Sequence, residues 1–186
     1  SETSFDIALC SGLPRTVSTA EIVLRRQDGP PPLEEEPQLE ELRGGWAEAS
    51  GPAEMAARIA YAFDAAGTPG ASFLEGGETF ASAYGRVSDA LYRIVTTGAW
   101  SRALVVAHEG VNRIALGWAC GGGLASISAF EQDLACVNVI DFDVVPEQNG
   151  QGLKIERTIM KAVNLTPYDY LKHGMARTSL EIIFDL

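Results

Sequence analysis

Through the first two thirds of the chain, short apolar runs alternate with stretches in which apolar residues recur every three or four positions. That is the pattern of strands interleaved with helices. Phe5–Cys10 alternates and then turns apolar, which predicts a short strand. Ser11–Pro14 breaks it, and Pro14 suits the first turn of a helix carrying Arg15, Thr19, Ala20, Ile22, Val23 and Leu24 to about Arg26. Gln27–Gln38 holds four prolines and a glutamate triplet and predicts a loop. Ala53–Ala66 places Met55, Ile59, Ala62, Phe63 and Ala66 on one helical face, and Glu78–Thr97 does the same with Phe80, Tyr84, Val87, Leu91, Ile94 and Val95. Both stripes read as core. Ala103–Ala107 is an unbroken apolar run, predicting a central parallel strand buried on both faces. Val111–Cys120 follows as a short helix ended by Gly121–Gly123, and Cys136–Val144 and Leu153–Val163 read as strands joined by a turn at Asn149–Gly152. The expected architecture is α/β: a single domain over residues 1–186, a three-layer α/β/α sandwich with a mostly parallel central sheet.

At 186 residues and 46% hydrophobic content, the chain can bury one substantial core. No run of 18 apolar residues is present and the first residues lack a basic start and apolar stretch, so neither a membrane span nor a signal peptide is expected, and the expected location is cytoplasmic. A net charge of −11 argues against binding nucleic acid or an anionic membrane. It leaves room for a small anionic substrate, which feels local arginines more than distant carboxylates. Cys10, Cys120 and Cys136 show no C-x-x-C spacing and read as reduced. Neither His108 nor His173 has a neighbouring carboxylate cluster, so no metal site and no cofactor are expected.

His108 follows the apolar run at 103–107 and precedes a helix. In open α/β sheets ligands gather at carboxyl strand ends, and the free amides of the next helix attract an anion. Arg15 opens the helix after the first strand, where its guanidinium could grip a phosphate through two bonds. On position alone the favoured reading is a surface arginine on the first turn of a helix. Glu41 lies where an acidic run turns apolar and glycine-rich, Leu39 to Trp46. A carboxyl near Trp46 would have a raised pKa and suit a proton donor, although by charge alone it is one more acid of a solvated run.

Four blocks in order carry a resemblance. Ser11-Gly12-Leu13-Pro14-Arg15-Thr16-Val17-Ser18-Thr19-Ala20 resembles S-x-L-x-R-A-x-x-T-A. Leu39-Glu40-Glu41 with Gly45 resembles L-x-E-x-x-x-G. Gly77-Glu78-Thr79 with Arg86-Val87 resembles G-E-S…R-V, and Val105 to Arg113 resembles V-V-S-H-G-G-V-I-R. These are blocks of the histidine phosphatase superfamily, which includes the cofactor-dependent phosphoglycerate mutases. Departures are Ala49 and Glu109 in place of glycine and Asn112 in place of an apolar residue.

The resemblance implies a phosphoglycerate mutase-like fold and metal-independent hydrolysis of a phosphomonoester through a phosphohistidine intermediate. Arg15 and Ser11 would bind phosphoryl oxygens, Glu41 would protonate the leaving group, and His108 with the amide of Glu109 would stabilise the transferring group. The family's nucleophile lies in an R-H-G motif on a strand upstream of the Ser11 block, and the expectation is that this segment is not among these 186 residues. Lys172-His173-Gly174 looks like a displaced copy but follows the turn at 166–170, so His173 reads as a loop histidine. The implied partner is a small phosphorylated substrate, and the edge strand Asn138–Asp143 could pair with a second copy. Two other readings follow from the same residues: an inactive relative that binds a phosphorylated ligand or protein, and a phosphoglycerate mutase.

Overall fold

In the computed structural model, which describes residues 3–46, 51–148, 150, 152–172 and 177–183, Ile7–Cys10 (β1) lies between two parallel neighbours. Leu33–Glu35 (β2) pairs on one side and Ala103–Val106 (β3) on the other. Parallel pairing requires crossovers, and Pro14–Leu24 (α1) supplies the first one. Pro14 stands in its first turn, where the missing N–H costs nothing, and the helix buries Thr16, Ala20 and Leu24.

Two sequence expectations change here. The segment 27–38 is not all loop, because β2 sits inside it. Its residues are half-buried or exposed and it is held through the backbone to β1, so no alternation of side chains marks it. The central strand is β1, with Ala8, Leu9 and Cys10 buried, rather than β3. Among the described residues β3 pairs only with β1, and its Val105 remains 37% exposed. An apolar run shows that a strand can be buried on both faces; it does not show how many neighbours it has.

The core lies under Phe80–Thr97 (α3) and Glu109–Ala119 (α4). Phe80, Ala83, Val87, Ala90 and Ile94 fall on one face of α3 at helical spacing and meet Leu9, Val111, Ile114 and Ile127. Phe63 joins them, 5.8 Å from the Phe80 ring and 5.2 Å from Phe73. The helix expected over 53–66 is Pro52–Ala60 (α2). Beyond it the amides of Ala62, Asp64 and Ala66 bond three residues back, so tighter turns still bury Phe63 and Ala66. α3 starts at Phe80 and not at Glu78, because Thr79 caps it by accepting from the Ser82 amide at 3.2 Å.

Val137–Pro146 (β4) and Leu153–Leu165 (β5) form a separate antiparallel pair that leans on α4 through Phe142 and Trp118, 5.7 Å apart. At its base, Lys172 Nζ donates to Asp133 at 2.6 Å and to Thr166 at 2.8 Å, and Asn164 bridges Asp133 and Asn138. His173 and Gly174 lie outside the described residues, as do Ala49, Asn149 and Gln151. Ser179–Ile183 (α5) docks against α2. No described helix is long and apolar enough to cross a membrane.

Gly117 tests how closely α4 packs. A Cβ there would stand 2.8 Å from the Gly123 carbonyl oxygen and 2.8 Å from Ile127. Alanine would gain about 1 kcal/mol in helix propensity but forces a backbone shift of larger cost, about 1–3 kcal/mol. Gly117→Ala is therefore expected to lower the thermal midpoint, and a midpoint equal to or above that of the parent would contradict the packing.

Candidate active site

Cys10 pairs with Glu35 on one side and Val106 on the other, so the carboxyl ends of the three parallel strands lie abreast. Ser11 follows β1 directly, and His108 stands immediately before α4, just beyond β3. The chain leaving β2 turns through Pro37–Leu39 to reach Glu41. Residues 97 positions apart are thereby bonded: Ser11 Oγ is 2.7 Å from His108 Nε2.

The network around His108 has one consistent direction. The Nε of Arg15 can only donate, and it lies 3.1 Å from His108 Nδ1, so Nδ1 accepts. A neutral ring then carries its proton on Nε2, which donates to Ser11. The Thr16 hydroxyl donates to the Leu13 carbonyl at 2.8 Å, leaving its oxygen to accept from Ser11 at 2.9 Å. Burial, with the charges of Arg15 and Arg86 adding to it, pushes the His108 pKa down to about 4. Both ring nitrogens are engaged, so His108 in this arrangement has no lone pair facing a phosphoryl group.

Arg15 itself is exposed, and its terminal nitrogens make no hydrogen bond among the described residues. They are free for an anion at the strand ends.

Glu41 is half-buried against the first turn of α4. Its carboxyl accepts from its neighbour Leu42 at 2.9 Å and from the amides of Gly110 and Val111. Burial raises its pKa, outweighing those amides and the charge of Arg15. The expected direction is present, but Trp46 is not its cause. Trp46 bridges to Glu75, packs at Gly76 and is half exposed, whereas Glu41 meets Gly110. A Cβ on Gly110 would stand 2.8 Å from Glu41 Oε1, so this contact requires glycine.

Glu109 is adjacent to His108, but its side chain turns away from the site. Its Oε1 accepts from Arg113 at 2.9 Å and from Ser179 at 2.7 Å, and Arg113 also reaches Glu131 at 3.1 Å. Burial raises the Glu109 pKa. Its negative charge is thus held by Arg113 and does not face Arg15, while its backbone remains in the first turn of α4.

Sequence reasoning missed the parts that hold these groups. Thr16 orients Ser11, and Arg86 grips the Glu41 loop while pairing with Glu78 at 2.8 Å. The only signal for the latter pair was the spacing of Glu78 and Arg86 in the third block.

The model of the histidine phosphatase superfamily (branch 1) matches residues 1–147. The chain belongs to this superfamily. By family, this histidine phosphatase is a phosphatase of the histidine type with the corresponding α/β fold. No curated protein matches it. Among solved structures, the alpha-ribazole phosphatase from Shigella flexneri resembles it at 25% identity and a TM-score of 0.62, over 88% of this chain and 75% of that one. A mycobacterial glucosyl-3-phosphoglycerate phosphatase in complex with inorganic phosphate shares the fold at 18% identity and a TM-score of 0.63, over 86% and 76%. A phosphoserine phosphatase mutant from Entamoeba histolytica in complex with phosphoserine does so at 17% and 0.61, over 86% and 74%.

Proposed function

We infer that this histidine phosphatase is a metal-independent hydrolase of a small phosphomonoester, working through a phosphohistidine. The observation that carries the reading is the cluster at the strand ends, in which Arg15 and His108 share a hydrogen bond and the raised-pKa carboxyl of Glu41 faces the same helix start. Arg15 and the first-turn amides of α4 supply positive charge where phosphoryl oxygens would gather. His108 and Ser11 lie beside that position as a bonded pair, so the His108 Nε2–H turns to phosphate only by giving up Ser11, and Glu41 supplies a proton to the departing oxygen. Both nitrogens of His108 are engaged, so the phosphoryl acceptor is assigned to a histidine of the R-H-G type that the resemblance implies, and to neither His108 nor His173.

The test is release of inorganic phosphate from aryl and alkyl phosphomonoesters with chelator present, followed by quenching and peptide mapping for an acid-labile, base-stable phosphoryl group. In the full-length protein, turnover with phosphohistidine at neither His108 nor His173 is the expected result. Phosphorylation at His108 would overturn its stabilising role. The same engaged ring also favours a second reading, an inactive relative that binds a phosphorylated ligand. Tight binding of a phosphomonoester without turnover would establish that reading and remove the hydrolase.

A further inference from the structure

We propose that Arg86 is the positioning residue for Glu41: one buried guanidinium gathers three carbonyls of the 38–41 loop and thereby holds the carboxyl on the first turn of α4. The inference rests on the reading of Glu41 as proton donor.

Nη1 of Arg86 donates to the carbonyls of Gln38 and Glu40, the latter at 2.8 Å, and Nη2 donates to the Glu41 carbonyl at 3.3 Å. The other side of the fork is committed to Glu78, with Nε at 2.9 Å and Nη2 at 2.8 Å. Both side chains are 8% exposed. Glu78 in turn accepts from the Arg43 amide at 3.2 Å, and its own amide donates to the Arg43 carbonyl at 2.8 Å. The segment 38–43 has no regular structure beyond the Pro37–Leu39 turn, so its inward-facing carbonyls have no ladder to satisfy them. The planar, five-donor guanidinium supplies several partners at fixed angles, which a lysine ammonium on a flexible stem does not reproduce. Arg86 projects from α3 and Glu41 rests on α4, and these helices pack together. The fork therefore fixes the donor relative to the helix start that would face the phosphate.

Arg86→Lys keeps the charge and removes the fork. Two readouts separate the position of Glu41 from its role. In a carbon-13 NMR titration of the Glu41 carboxyl, the loosened loop admits water, and the pKa is expected to fall back toward the ordinary glutamate range. In steady-state kinetics, hydrolysis of an alkyl phosphate is expected to fall about tenfold or more with KM unchanged, while p-nitrophenyl phosphate, whose leaving group needs no proton, stays within about threefold. Glu78→Gln, which leaves the guanidinium in place without its ionic partner, is expected to move both readouts the same way by less, and guards against misfolding of the first variant. A Glu41 titration unmoved in a folded variant overturns the proposal, as does an equal loss on both substrates where Glu41→Gln itself is selective between them. If the titration moves but Glu41→Gln itself shows no leaving-group selectivity, Arg86 positions Glu41 and the donor reading fails instead.

Discussion

Glu41→Gln is expected to slow hydrolysis of an alkyl phosphomonoester by about 10²–10³-fold while leaving p-nitrophenyl phosphate within about threefold. Glutamine has nearly the same shape and keeps an oxygen for the amides of Leu42, Gly110 and Val111, so the loop need not move. What it lacks is an acidic proton. An alkoxide is a poor leaving group and depends on protonation as the bond to phosphorus breaks, whereas nitrophenolate leaves unaided. Burial raises the pKa of Glu41, which keeps its proton available for that step. Comparing kcat on the two substrates therefore isolates proton donation from binding. An equal loss on both would make Glu41 a structural acid.

The second large effect concerns stability. His108 is 6% exposed and its pKa is pushed down to about 4 from 6.5, by burial first and then by Arg15 and Arg86. Between those values the unfolded chain binds a proton that the folded protein refuses. Stability is thus lost as pH falls from about 6.5 to 4, by up to about 3 kcal/mol from this one group. Carboxylates titrate over the lower part of the same window, so the informative quantity is a difference between proteins. Urea unfolding at pH 7 and pH 4 is expected to show the parent losing about 3 kcal/mol more than His108→Gln. Parallel losses would mean that His108 accepts a proton in the fold, contradicting the bond in which Arg15 donates to Nδ1.

Both predictions involve residues that stood out in the sequence, and the way they became visible differs. Helices α1, α3 and α4 were marked by apolar spacing, by Pro14 at a helix start and by the glycines after Ala119, all of which act within a few residues. Arg15, Glu41 and His108 were marked by position at the ends of those elements and by the blocks around them. β2 was not legible, because a short exposed strand held by backbone bonds leaves no side-chain pattern. The central place of β1 was hidden for a related reason: neighbours in a sheet are set by pairing across the chain.

Family membership and the alternation of strand and helix were legible in the chain alone, as were Arg15, Glu41 and His108 as candidates for handling a phosphate. Those depend on local propensity and on the order of residue types. The protonation pattern of His108 needed the folded chain, because Arg15 and Ser11 must converge on one ring and Thr16 must orient Ser11. The same holds for Glu41 resting on Gly110 and not on Trp46, for Glu109 facing Arg113, and for Arg86 bonding the Glu41 loop. Burial, charge and hydrogen-bond direction depend on what lies within a few ångströms in space, and parallel crossovers bring together groups that the chain keeps far apart.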